Sequence, residues 1–229
     1  MKILGIDTST GYLSLAIYDD GAVYECNIEA GRRLSALLAP FMQKALEASS
    51  VNIRDIDYFA CGLGPGSFTG MRIGIAAIKG LAWAGKKPAV GISSLDIIAR
   101  NVKDTDHDIV TAVDAKRGLV YCCIYRSKKG AFKRVSPYML LAKEQLVKKI
   151  SPGSVLLGDA AGLYKEFFLS HVKNAVLLDK DYWYPKAYNI IELALAGIKV
   201  KEISDSFGLK PIYLYPDACQ VKKRVLRSS

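Results

Sequence analysis

Histidine is scarce in this 229-residue sequence, and neither histidine nor cysteine is spaced as a metal site requires. His107 and His171 stand far apart and lack the His-x-x-x-His spacing that places two imidazoles one helical turn apart. No Cys-x-x-Cys pair indicates zinc binding or thiol–disulfide exchange. We therefore expect no metal and no cofactor. We expect reduced, mostly packed thiols at all five cysteines: Cys26, Cys61, Cys122, Cys123 and Cys219.

Long apolar runs and hydrolase motifs are also missing. The apolar run before Asp7 is too short for the core of a signal peptide and has no small-residue cleavage site. The stretch 73–84 is interrupted by Lys79 and is shorter than the roughly 20 residues of a membrane span. There is no Gly-x-Ser-x-Gly elbow and no Ser-His-Asp order. These absences predict a cytoplasmic protein and do not favour a hydrolase.

Acidic residues are under-represented, and the excess of positive charge is uneven. The net charge is +10; residues 1–105 hold 11 Lys and Arg against 10 Asp and Glu, whereas residues 106–229 hold 21 against 12. Such a balance permits contact with a polyanion such as RNA, although a solvated basic tail would look the same. Four cations fall within the last eight residues: Lys222, Lys223, Arg224 and Arg227.

Hydrophobic periodicity predicts a mixed α/β protein. Three apolar or alternating runs separated by turn residues, 2–6, 12–18 and 22–28, predict antiparallel strands. Strand and helix signals then alternate through both halves of the chain. We predict two lobes, residues 1–105 and 106–229, with the last helices of the second lobe packing back on the first.

Two helices of the first half are strongly apolar. The first carries a stripe at the three-and-four spacing of one helix face, with Pro40 inside it, so we expect a kink at Pro40 or a helix that starts near it. The second covers about 68–84, with Ser67 as its cap, and is apolar nearly all round. The stripe of the first consists of Leu34, Leu37, Leu38, Phe41, Met42, Ala45 and Leu46.

Residues 6–10, between the first two strands, resemble the phosphate-binding turn of the actin, heat-shock chaperone and sugar-kinase superfamily. In those ATPases a strand-end Asp orients metal-bound water or phosphate, while small residues let backbone N–H groups approach the phosphates. The resemblance implies a residual nucleotide cleft formed by Asp7, Thr8, Ser9 and Asp114. A local turn in which Asp7 bonds its own backbone would select the same residues.

Residues 64–74, GPGSFTGMRIG, are more specific and resemble the TsaB (YeaZ) family of bacterial proteins. The resemblance implies a two-lobed actin and sugar-kinase-like (ribonuclease H-like) fold, with mixed sheets flanked by helices. This sequence departs from the family where Leu34 replaces a frequent His and Tyr215 a frequent Arg. Further agreement is found at 31–33 (GRR), 114–118 (DAKRG), 158–160 (GDA) and 211–217 (PIYLYPD), so that the resemblance covers nearly the whole chain.

The glycines of residues 64–74 have two interpretations. They sit at the entry of a helix, where free N–H groups favour an anion such as phosphate. Their spacing fits neither a dinucleotide fingerprint nor a P-loop. The second interpretation, which we favour, is that a helix or strand of the protein lies against the small-residue face.

The TsaB resemblance implies a partner protein without a catalytic site. TsaB proteins support TsaD, the transferase that makes tRNA threonylcarbamoyladenosine beside the anticodon, and an ATPase, TsaE, joins them. The early helices would meet TsaD, or a second copy of the chain when TsaD is absent, and tRNA would be reached through the complex. The interface is predicted to consist of Arg32, Arg33, Leu34, Leu37, Leu38, Phe41, Met42, Leu46, Gly70, Met71, Gly74, Ile75 and Ile78.

Other interpretations stay open. One is an ATP-dependent phosphotransferase that uses Asp7 and Asp114, and another is a tRNA-binding module that uses the basic second half. The two apolar helices could equally cover the chain's own sheet. If they form an interface instead, Leu38→Asp or Phe41→Asp should break association and leave the monomer folded.

Overall fold

Two β-sheets covered by helices make up the computed structural model of the chain, which describes residues 1–216. The predicted basic tail, the thiol of Cys219 and the last residue of the segment 211–217 lie outside these residues.

The first sheet has five strands in the order β3-β2-β1-β4-β5. The first three strands pair antiparallel, which confirms the prediction from their turn-bounded runs. The other two run parallel to β1 and to each other. The strands are β1 (Lys2–Asp7), β2 (Tyr12–Asp19), β3 (Ala22–Glu29), β4 (Tyr58–Gly62) and β5 (Ala89–Ile92).

The second sheet has six strands and repeats this plan. Its strand order is β11-β10-β6-β7-β8, and β9 also pairs with β7. The pairs made by β7 are antiparallel, while β6, β10 and β11 run parallel. The strands are β6 (Ile109–Asp114), β7 (Leu119–Lys128), β8 (Ala131–Arg134), β9 (Met139–Ala142), β10 (Val155–Leu157) and β11 (Val176–Leu177).

Seven α-helices flank the sheets within residues 1–216. Ser67 caps α2 as predicted, since its side chain accepts the Gly70 N–H. The first helix runs through Pro40, so a start near Pro40 is wrong. No helix within residues 1–216 is long and apolar enough to cross a membrane. The helices are α1 (Leu34–Ser49), α2 (Phe68–Gly85), α3 (Ser94–Ala99), α4 (Lys143–Val147), α5 (Asp159–Leu163), α6 (Lys165–His171) and α7 (Ala187–Lys199).

The alternation of side chains along β1 separates two cores. Leu4 and Ile6 point to the face that α1 and α2 cover, and both are fully buried. Ile3 points to the opposite face, where α7 packs. Gly5 allows α7 to come close, because a Cβ at Gly5 would lie 2.8 Å from Cγ2 of Ile190. The first sheet is therefore buried on both faces.

The second sheet is also buried on both faces. Its two cores hold side chains of α3 on one face and of α4, α5 and α6 on the other. This arrangement confirms the predicted class of mixed sheets flanked by helices. The division of the chain at residue 105 stays a prediction, because α3 contacts β6 and α7 contacts β1 across it.

The contact between α7 and β1 leads to a stability prediction. Ile190→Ala should lower the free energy of unfolding by about 2–5 kcal/mol, because it empties a fully enclosed site. Tyr188→Ala, on the same helix at a side chain 44% exposed, should have a smaller effect. Urea unfolding of both variants measures the difference, and equal losses would contradict this account of the core.

Candidate partner interface

Two helices of the first lobe, α1 and α2, lie beside each other on one face of the first sheet. Each buries one side in the core beneath it. On α2 the buried positions follow a three-and-four spacing that ends at Ala82, as expected for one helix face. The opposite face of α2 is turned away from the core.

The structure shows that part of the predicted interface is buried inside the chain, and it corrects the prediction at those residues. Seven of the thirteen residues lie inside the chain's own core, so their side chains cannot form the surface that a partner meets. Leu38, for example, is only 6% exposed, and Leu38→Asp should unfold the chain rather than leave a folded monomer. The seven residues are Leu34, Leu38, Gly70, Met71, Gly74, Ile75 and Ile78.

The outward face of α2 is the surface that sequence reasoning missed. Ala76 and Gly80 are exposed, Ile73 and Ala77 are partly exposed, and Trp83 is 67% exposed. These five residues recur at helical spacing, and none carries a charge. We call them, with the partly exposed residues of α1 described next, the helix-pair surface.

The first helix contributes Leu37, Phe41, Met42 and Leu46 to the helix-pair surface. All four pack against the core with part of each side chain still in solvent. The ammonium of Lys44 lies 5.5 Å from the centre of the Phe41 ring, so its aliphatic stem can cover apolar surface.

Two predicted arginines stand at the end of the helix-pair surface. Arg32 and Arg33 form a 3-10 turn, Gly31–Arg33, just before α1, and both are exposed. They are available for ionic contacts at a rim, where such contacts contribute little to affinity.

An aromatic and cationic cluster lies at the amino end of α2. The ring of Phe68 is 47% exposed and stacks against the guanidinium of Arg72, whose carbon lies 3.7 Å from the ring centre. The Nε of Arg72 donates to the Tyr213 hydroxyl at 3.1 Å. This cluster joins α2 to the last described segment of the chain.

The glycines at the start of α2 are explained by a contact within the chain. A Cβ on Gly66 would lie under 3.0 Å from the carbonyl oxygen of Ser9, and Cβ atoms on Gly70 and Gly74 would meet Thr8 as closely. The turn between β1 and β2 therefore lies directly against the small-residue face of α2. We had expected a helix or strand of the protein to lie against these glycines; the structure places the turn between β1 and β2 there instead.

This contact removes two residues from the predicted nucleotide cleft. Asp7 is 1% exposed; its carboxylate accepts hydrogen bonds from the Ser94 hydroxyl and the Ser9 N–H. Burial raises the pKa of Asp7 above its ordinary value. Thr8 is equally buried and donates its hydroxyl to the Gly70 carbonyl at 2.7 Å. Neither residue lines the cleft between the two sheets, which corrects this part of the prediction.

A cleft of about 760 Å³ remains between the two sheets, and Ser9 and Asp114 line it. The Asp114 carboxylate pairs with the ammonium of Lys116. The backbone N–H of Asp114 donates to the Asp159 carboxylate at 2.8 Å. Burial raises the pKa of Asp159. Tyr215 also lines the cleft and donates its hydroxyl to the Ala115 carbonyl at 2.9 Å.

The next feature is the placement of residues that could bind a metal. Within residues 1–216 no group of three or more His, Cys, Asp or Glu side chains is placed to hold a metal ion. His107 and His171 are both exposed, and His171 stacks on Phe167.

A family model matches the chain over most of its length. The model, described as TsaD: tRNA N6-adenosine threonylcarbamoyltransferase, matches residues 28–199.

Two similar proteins carry the same name. The chain is 31% identical over 220 residues to the tRNA threonylcarbamoyladenosine biosynthesis protein TsaB of Escherichia coli, covering 93% of this chain and 94% of that one. It is 32% identical over 221 residues to the protein of the same name from Bacillus subtilis, with the same coverage. The solved structure of YeaZ from Pseudomonas aeruginosa is 26% identical, with a TM-score of 0.81 over 93% of this chain and 99% of that one. These matches confirm the resemblance drawn from residues 64–74.

The packing of α2 on the turn can be tested with two glycines of the same helix. Gly70→Ala should lower the free energy of unfolding by about 1–3 kcal/mol, because the new methyl group would overlap the Thr8 carbonyl oxygen. Gly80→Ala should raise it by about 0.5–1 kcal/mol, because nothing lies within 4 Å and alanine favours the helix. Urea unfolding compares the two, and effects of the same sign would show that the contact is placed wrongly.

Proposed function

The chain belongs to the TsaB family, and from this premise we propose that it acts in tRNA threonylcarbamoyladenosine biosynthesis as a non-catalytic partner of the TsaD transferase. The helix-pair surface would bind TsaD, and an ATPase of the TsaE type would join the pair. In the absence of TsaD the same surface would pair two copies of the chain. Contact with tRNA would then come through the complex.

The outward face of α2 is the observation that supports this proposal. A helix on the surface of a lone globular protein normally carries charged residues on its outer side. Here the outer side from Ile73 to Trp83 holds alanines, Gly80 and Trp83 instead; the cations of α2 are Arg72, one turn before Ala76, and Lys79 beside this face. Small residues allow another helix to approach closely, and a tryptophan among them is a frequent energetic centre of an interface.

The free-energy cost of leaving large apolar side chains in solvent favours a partner. Burying one large apolar side chain stabilises a protein by roughly 1.5–3 kcal/mol. Trp83 leaves most of its ring in solvent, and Leu37, Phe41 and Ile73 leave part of theirs. A second polypeptide laid across both helices would bury these side chains together.

The buried phosphate-like turn supports a non-catalytic role. In the superfamily that residues 6–10 resemble, the strand-end Asp faces the nucleotide. Here Asp7 is sealed behind Ser94 and Ser9, and the start of α2 covers the turn. A carboxylate in that position cannot orient water or a metal ion in the cleft.

Charge placed on the helix-pair surface tests the proposal. Ala76→Arg and Gly80→Arg should each weaken binding to TsaD by roughly 30-fold or more, because a guanidinium would be buried without a partner. Both positions are exposed, so both monomers should stay folded. The unfolding temperature should be unchanged in Ala76→Arg and slightly raised in Gly80→Arg, because arginine favours the helix over glycine. Ser170→Arg, exposed on α6 of the other lobe, is the matched control and should bind normally. Sedimentation velocity should show the same pattern for pairing of the chain with itself.

Reconstitution tests the function. TsaD, ATP, threonine, bicarbonate, the adenylate-forming enzyme and tRNA should give modified tRNA with the wild-type chain and with Ser170→Arg, but little with Ala76→Arg. Equal modification without this chain would end the proposed role. Turnover of ATP by the chain alone would favour the phosphotransferase, and salt-sensitive binding of tRNA by the chain alone would favour the binding module.

A further inference from the structure

A second groove, which shares no lining residue with the cleft between the two sheets, lies at the carboxyl end of α2. Its volume is about 780 Å³, and the segment 203–207 forms its other side. Two of the rings that line it stand mostly in solvent: Trp83, and Phe207, which is 70% exposed. The side chain of Ile203 is also exposed there. Large apolar side chains that are exposed together mark a site where another protein binds.

The segment beside this groove is a free edge of the first sheet. Ser204 and Ala89 exchange two backbone hydrogen bonds of 2.8 Å, which place the segment next to β5 in antiparallel pairing. The backbone groups of the residues on either side of such a pair point away from it. Within residues 1–216 the N–H and C=O of Ile203 and the N–H of Asp205 form no hydrogen bond with another residue. An extended peptide can pair with these groups by β-augmentation.

The cations of the groove favour an acidic occupant. Lys86 and Lys87 line it, and neither forms a salt bridge with any residue of the described part of the chain. The acidic residue among the lining residues, Asp205, uses one carboxylate oxygen to accept the N–H groups of Phe207 and Gly208. The two free ammonium groups therefore attract carboxylates. Residues 217–229 of the chain itself hold four cations and one acid, which is the wrong charge for this groove.

Trp83 determines which protein can reach the groove. Its ring lines the groove and also belongs to the helix-pair surface. A protein that binds the helix-pair surface covers this ring, so an unrelated protein in the groove would compete with it for the same contact. A segment of the first protein can enter the groove without such competition.

We propose that an extended, acidic segment of TsaD pairs with the free edge at Ile203 and Asp205 and inserts an apolar side chain between Trp83 and Phe207. This inference rests on the proposed function, because it takes TsaD as the protein that binds the helix-pair surface. Main-chain hydrogen bonds at the edge supply affinity, and the lysines select carboxylates in the segment.

The affinity of the full chain for TsaD, measured by isothermal titration calorimetry, tests the apolar contact. Phe207→Ala should weaken binding about tenfold, because an aromatic side chain that a partner encloses contributes strongly to affinity. Leu163→Ala, at an exposed side chain on α5 of the other lobe, is the matched control and should bind normally. Both side chains are exposed, so both variants should stay folded. Equal affinity of the two variants overturns the proposal.

The dependence of this affinity on salt tests the charged contact. The double reversal Lys86→Glu and Lys87→Glu should weaken binding at low salt and make the affinity less sensitive to added salt, because an attraction between opposite charges is lost. Lys148→Glu with Lys149→Glu is the matched control, since these adjacent lysines also follow a helix and are exposed. An equal loss in both double variants would mean that only the net charge matters and would contradict the proposal.

A photo-crosslinker identifies the occupant. Phe207→p-benzoylphenylalanine, irradiated in the complex with TsaD and tRNA, should crosslink to a stretch of TsaD in which Asp and Glu outnumber Lys and Arg, as mapped by mass spectrometry. A crosslink to a basic stretch, to tRNA or to a second copy of the chain, or no crosslink, overturns the proposal.

The variants separate this inference from the proposed function. If Ala76→Arg blocks binding to TsaD while Phe207→Ala and the reversal of Lys86 and Lys87 do not, the groove alone is wrong. If the wild-type chain does not bind TsaD, the proposed function fails and the groove loses its occupant with it.

Discussion

The close approach of α2 to the turn between β1 and β2 determines the arrangement of the first lobe. Backbone and small side-chain atoms of Thr8 and Ser9 fill the places where Cβ atoms of Gly66, Gly70 and Gly74 would be. Because the contact involves backbone, it fixes the rotation of the helix about its axis as well as its position. One face of α2 is thereby committed to the core, and the opposite face, with its small residues and Trp83, must point outward.

The same contact changes the chemistry that the turn can perform. A strand-end carboxylate that faced the cleft could orient water or a metal ion, but Asp7 accepts its hydrogen bonds from Ser94 and Ser9 instead. Thr8 is bound to the Gly70 carbonyl. The cleft between the two sheets therefore lacks these two side chains, and the amino end of α2 lines it in their place.

Much of the fold could be predicted from the sequence, and the orientation of α2 could not. Alternation and turn residues located the strands, and Ser67 marked the start of α2, because these signals are local. Since α2 is apolar nearly all round, its periodicity could not distinguish the core face from the outer one. The predicted interface therefore included Met71 and Ile75, which are buried, and omitted Ala76 and Trp83. The distinction depends on the distant turn that Gly70 contacts.

The glycines of α2 are of two kinds, which differ in whether the fold of the monomer explains them. Gly70 and Gly74 are demanded by the fold, because a side chain at either would overlap Thr8. Gly80 lies in the interior of the same helix with nothing within 4 Å of its missing Cβ, and there glycine destabilises a helix by roughly 0.5–1 kcal/mol relative to alanine. Packing of the core does not require a glycine at position 80. A neighbouring helix that crosses α2 at Gly80, with Trp83 one turn further along, would account for both residues.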